Sequence, residues 1–201
     1  SKSSQILSFG YNYDSYGPCV LQSGSSFTVN LGTNIGSSHN TTVSLLNDYY
    51  GISYSSDVAD DTVNGVSVPM GGALCLKSGS FSISNSFVNN TIQSSSGSPY
   101  GGAIGATDSV LYISSSNFIN NRSLKSDSIS RSAGGGAIYI GKGTNATINS
   151  TNFIGNRAVY TGSTISSSSG GAIKALDDSP LSISGSYFRA NLAYGQSYNG
   201  Q

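Results

Sequence analysis

The chain has 201 residues, with nine Lys and Arg balanced by nine Asp and Glu, and only 9% of its residues are charged. Zero formal charge removes the electrostatic drive toward nucleic acid or an anionic membrane surface. No run of about 18 apolar residues occurs, so nothing reads as a membrane-spanning helix, and 36% hydrophobic residues in periodic order argue against disorder.

The chain begins at Ser1 without Met or a signal pattern, which reads as a mature or excised segment. Residues 1–70 read as irregular N-terminal coils or a cap. Short apolar alternations stand at Phe27–Leu31, Thr42–Leu46 and Val63–Val68, separated by Gly, Asn and Ser turns. His39, the sole histidine, lies in the loop-like Ser37-Ser38-His39-Asn40, and no Ser-His-Asp grouping surrounds it.

From Gly71 a double motif repeats. Its first half is Gly71-Gly72-Ala73-Leu74, Gly101-Gly102-Ala103-Ile104, Gly135-Gly136-Ala137-Ile138 and Gly170-Gly171-Ala172-Ile173. Its second half is Phe87-Val88-Asn89-Asn90, Phe118-Ile119-Asn120-Asn121, Phe153-Ile154-Gly155-Asn156 and Phe188-Arg189-Ala190-Asn191. The first glycines lie 30, 34 and 35 residues apart, and each Phe follows its glycine by 16 to 18 residues. This divides the region into repeats 71–100, 101–134, 135–169 and 170–201.

Each repeat reads as three short strands: the Gly-Gly-Ala-Ile segment, an alternating Phe81-Ser82-Ile83-type segment, and one opening at the motif Phe. Too little core lies in one repeat to bury a face alone, yet Phe falls over Phe and Asn over Asn. That predicts an all-β, right-handed parallel β-helix of about 30–35 residues per coil. Phe87, Phe118, Phe153 and Phe188 form one internal file and Asn90, Asn121, Asn156 and Asn191 a side-chain ladder. On the first strand, Tyr139 and Lys174 resist burial. Their phase sends Leu74, Ile104, Ile138 and Ile173 inward and makes Ala73, Ala103, Ala137 and Ala172 an outward column of small residues, with Cys75 also outward. That column suggests lateral packing of a neighbour. The Ser-rich inserts 92–100, 123–134 and 158–169 read as loops on one side of the stack.

The paired motifs resemble the repeats of the polymorphic outer-membrane protein family of chlamydiae, over 71–194, about three-fifths of the chain. The resemblance implies a surface-exposed β-helical passenger acting in adhesion, and it carries over no catalytic residue.

Chemistry is sparse. Parallel β-helices also host polysaccharide lyases and hydrolases, whose sites need clustered carboxylates. The adjacent acidic pairs here are Asp60-Asp61 and Asp177-Asp178, and Ser179-Pro180 after the second marks it as a turn. One His and two distant Cys do not make a zinc site, and the Gly-rich pieces lack phosphate-loop spacing. No cofactor is expected. Cys19 and Cys75 are either a disulfide closing a loop of 56 residues or two free thiols. Sequons stand at Asn40, Asn89, Asn145 and Asn149, and at Asn121, where a ladder role would leave the acceptor unused. Tyr100, Tyr139, Tyr160 and Tyr194 near loops could stack on sugars, although Tyr is also simply a good strand former. The expectation is a secreted or cell-surface, non-enzymatic scaffold whose partner is a protein or glycan on another cell, or copies of itself. A self-assembling fibre subunit and a polysaccharide-active enzyme are the alternatives.

Overall fold

The computed structural model describes residues 19–23, 28–31, 42–44, 49–51, 53–55, 60–77, 79–126, 131–162 and 166–195, with backbone alone for the strands before Tyr50 and for 53–55. His39 and the Asn40 sequon lie outside the described residues.

The strands build a right-handed parallel β-helix in which each coil adds one strand to each of four parallel sheets. Face one stacks Cys19–Ser23, Leu74–Lys77, Ile104–Thr107, Ile138–Ile140 and Ile173–Ala175. Face two stacks Thr42–Ser44, Ser80–Ile83, Val110–Ser114, Asn145–Asn149 and Leu181–Ser184. Face three stacks Tyr49–Tyr50, Ser86–Val88, Asn117–Ile119, Asn152–Ile154 and Tyr187–Arg189. Face four stacks Ser53–Ser55, Thr91–Ser94, Arg122–Lys125, Arg157–Tyr160 and Leu192–Tyr194. Thus part of 1–70 forms a leading coil, edged by the antiparallel strand Thr28–Leu31.

Face four is an addition to the three strands read from the sequence. It opens directly after the motif Asn, and its inward positions (Ile92, Ser123 and Ala158) are all buried. Ser and Ala in those slots blend into the Ser-rich inserts, so the alternation carries no hydrophobic contrast.

The interior is a set of in-register columns. Leu74, Ile104, Ile138 and Ile173 pair along face one. On face two Phe81, Leu111, Ala146 and Leu181 pair likewise. On face three Phe87, Phe118, Phe153 and Phe188 stack with ring centroids 4.8, 5.0 and 4.7 Å apart and planes within 8°. These separations are the strand spacing itself, so the parallel register delivers the stack. Each fully buried ring is worth about 1.5–3 kcal/mol of transfer free energy. At the last described coil the columns open to solvent: Ile183 is 42% and Phe188 44% exposed.

The expected outward alanine column is corrected by the structure. Ala73, Ala103 and Ala137 are fully buried and join the main core with Ala172. The chain bends between Gly72 and Leu74, and the N–H groups of both Ala73 and Leu74 donate to the Ala103 carbonyl, at 2.9 Å each. Side-chain alternation holds only within a strand, so the bend resets its phase and Ala and Leu both face inward. Lateral packing through those alanines has no exposed surface to rest on.

The double glycine has two separate causes. Gly71, Gly101, Gly135 and Gly170 have φ between 58° and 74°, the left-handed region. The second glycine sits where backbones approach closely: a Cβ on Gly102 would lie 2.1 Å from the Gly136 carbonyl oxygen and 2.4 Å from the Arg122 nitrogen. Both are backbone atoms that cannot rotate away.

Candidate functional site: the insert-covered flank

The corner between faces three and four holds the asparagine ladder. Asn156 Oδ1 accepts from the Asn121 backbone N–H and from Asn121 Nδ2, both at 3.0 Å, while Asn156 Nδ2 donates to the Phe118 carbonyl at 2.8 Å and to Asn191 Oδ1 at 2.9 Å. Asn121 makes the same four bonds one coil earlier, with Asn90 and the Phe87 carbonyl as partners. Every lone pair and proton of a fully buried amide is thereby used. A glycan on Asn121 would break this set, whereas Asn89, Asn145 and Asn149 are exposed.

A second ladder was not read from the sequence. At the corner between faces two and three, Ser116 Oγ accepts from the Asn85 N–H at 3.1 Å and Ser186 Oγ from the Thr151 N–H at 3.2 Å. The signal was available: a small hydroxyl residue stands two places before Phe in three of the four repeats, as Ser116, Thr151 and Ser186.

The functional surface is set by where the inserts leave the stack. Each emerges between face four of one coil and face one of the next. The first of them is an antiparallel hairpin, Asp61–Val63 with Val66–Val68, which folds over the outer side of face one. It covers the outward column of that face. Tyr139 points away from the coil interior yet is fully buried, in a second apolar cluster with Val68, Met70, Cys75 and Tyr100. Its hydroxyl donates to Asp61 Oδ2 at 2.8 Å. Burial first, and the Asp61 carboxylate second, push the Tyr139 phenol far above its usual range. Lys174, next in the column, keeps its ammonium 4.5 Å from the Tyr100 ring centroid and donates to Ser169 Oγ at 2.6 Å. Cys75 in this column is disulfide-bonded. The backbone register sets it opposite Cys19, the chain's only other cysteine.

Where hairpin and inserts converge they enclose a polar cleft of about 480 Å³, lined by Asn64, Ser98, Tyr100, Arg131, Ser132 and Ser166 among others. Tyr100 and Ser132 share a hydroxyl–hydroxyl bond of 3.0 Å, and Arg131 Nε is buried without a hydrogen-bond partner. The cleft can present guanidinium and hydroxyl donors to a ligand. Among the described residues that line it there is no carboxylate and no histidine.

The acidic pairs are occupied otherwise. Asp60 Oδ2 accepts the Met70 N–H at 2.9 Å and Asp61 holds Tyr139, so both carboxylates pin the hairpin. Asp177 and Asp178 are exposed in a turn closed by Ser179 N–H to the Leu176 carbonyl at 3.0 Å. Among the described residues no group of three His, Cys, Asp or Glu is placed to hold a metal ion. Of the four tyrosines near loops, Tyr139 and Tyr160 are fully buried and Tyr100 nearly so, while Tyr194, 49% exposed, is open to a sugar ring.

Residues 115–141 match the Chlamydia polymorphic membrane protein repeat. The matched segment runs from the second Phe-x-x-Asn corner through one insert to the third Gly-Gly-Ala-Ile strand, so the chain carries a repeat of that type. No curated protein and no solved structure matches the chain. Among the described residues no helix is long and apolar enough to cross a membrane, which leaves a β-barrel unaddressed.

Proposed function

We propose that this chain is a non-enzymatic β-helical scaffold of a surface-exposed protein, presenting its insert-built flank to a partner on another cell. The repeat match points to a surface or outer-membrane protein. The observation carrying the reading further is that the hairpin and the described parts of the later inserts, through Ser98, Tyr100, Arg131, Ser132, Ser166 and Ser167, come together on one flank of the stack. Insert length can then vary without disturbing the ladders, which suits a surface whose binding specificity changes while its support does not.

The test has two arms. Antibody against the purified chain should label intact cells of the producing organism; labelling only after lysis would refute the surface assignment. The purified chain should also bind target cells, and a variant carrying Arg131→Ala and Ser167→Ala on the flank should bind less while melting unchanged. Equal binding by that variant would remove the flank from the reading.

A further inference from the structure

The outer side of face four carries a feature the flank does not explain. Arg122 and Arg157 are direct partners in the parallel register, one coil apart, with Thr91 before them and Leu192 after. Their inward neighbours Ser123 and Ala158 are buried, so both guanidiniums project to the outside. Strand spacing sets their backbones about 4.8 Å apart, and like charges directly opposite each other on a sheet are unfavourable. Neither arginine has an ion-pair partner among the described residues, and Arg122 Nε is buried without an acceptor. In a chain with only nine Lys and Arg, two stand one above the other with no acidic partner among the described residues.

The pair edges an open groove of about 550 Å³. Asn120 forms its polar rim, while Val159, Leu192 and Tyr194 line its apolar side. Gly155, at φ 66°, lines it beside Asn120. Tyr194 is half exposed and offers a ring beside the two charges.

We infer that this groove is a binding site for an acidic saccharide, its carboxylate or sulfate held by Arg122 and Arg157 and its sugar ring lying on Tyr194. Guanidiniums match planar or tetrahedral oxyanions with paired N–H donors, and an adjacent aromatic face suits the apolar side of a pyranose. The anion also relieves the repulsion between the stacked cations, so the free protein is poised for it. Face four adjoins the insert corner, but the groove shares no lining residue with the insert-built cleft, so its binding can be tested separately from the flank's role.

The probes are a heparin-derived hexasaccharide (sulfate and carboxylate), a polygalacturonate hexasaccharide (carboxylate alone) and a neutral chitohexaose, titrated calorimetrically into the full chain. Either acidic probe should bind, the neutral one at least about tenfold more weakly, with affinity falling as salt rises from about 50 to about 500 mM. Arg122→Gln with Arg157→Gln should lower affinity by about tenfold or more, and Tyr194→Ala by a smaller factor. Lys142→Gln, which removes an equal charge from an exposed turn elsewhere, should bind as the parent does. Arg157→Gln alone alters only an exposed side chain and preserves the test if the double variant folds poorly. Absence of binding by both acidic probes, equal binding of the neutral one, or an equal loss in Lys142→Gln would each overturn the assignment.

Discussion

Replacing Asn156 with Ala probes the corner ladder at its best-shielded point. The substitution removes four side-chain hydrogen bonds. Two buried donors on Asn121, its backbone N–H and one Nδ2 proton, lose their acceptor, and the Phe118 carbonyl loses a donor. Asn121 and Asn156 are both fully buried, so water cannot substitute without opening the coil. An orphaned buried polar group costs about 1–3 kcal/mol, so two donors and a partly satisfied carbonyl together cost about 3–6 kcal/mol. Asn191→Ala removes the same kind of group at the solvent-facing end, where water can take its place, and should cost about 1–2 kcal/mol. Asn156→Asp keeps the acceptor but sets carboxylate oxygen against the Phe118 carbonyl and Asn191 Oδ1, so it should be no milder than Ala. Urea unfolding monitored by far-ultraviolet circular dichroism gives the three values. An Asn156→Ala cost of about 1 kcal/mol or less, or one no greater than that of Asn191→Ala, would refute the argument that shielding of the ladder sets its energy.

Ala190 has φ 53°, where the equivalent residue of the preceding repeat is Gly155 at φ 66°; Ala190→Gly should relieve strain and stabilise by about 0.5–1 kcal/mol in the same assay. Tyr139 has its phenol raised in the folded state, so its contribution is fully present below about pH 10 and is lost as pH climbs beyond. Stability should then fall by up to about 1.4 kcal/mol per pH unit for this one proton, and Tyr139→Phe should remove that share of the alkaline slope; an unchanged slope would count against a buried neutral Tyr139. Reducing the disulfide at Cys75 should release a loop of 56 residues, if Cys19 is its partner, and lower stability by about 4 kcal/mol. An identical unfolding midpoint with and without phosphine reductant would remove that pairing from the account.

Much of this architecture could be read in one dimension because a solenoid turns sequence period into spatial contact. Translation by one coil brings Phe118 over Phe87 and Asn121 over Asn90, so residue identity repeated every 30-odd positions already names the neighbours. The hydroxyl positions Ser116, Thr151 and Ser186 obey the same rule, but the abundance of Ser in the chain hides their period. What the period could not convey is phase at bends and contact across the repeat. Two-residue alternation assumed through the Gly-Gly corner placed Ala73 outside, whereas the bend turns it into the core.

Tyr139 shows the second limit. The sequence correctly marks it as pointing away from the coil, but its burial depends on a hairpin some 78 residues earlier folding back along the stack. No periodicity links Asp61 to Tyr139; only the path of the first insert in space does. The same holds for Arg122 and Arg157, whose register is visible in the repeat but whose lack of a counter-charge among the described residues is a property of the assembled surface. Repetition thus determined the coil and its ladders, because stacking is local in units of one repeat. Tertiary folding alone decided which outer faces are covered and which stay open, because that depends on where unrepeated segments come to rest.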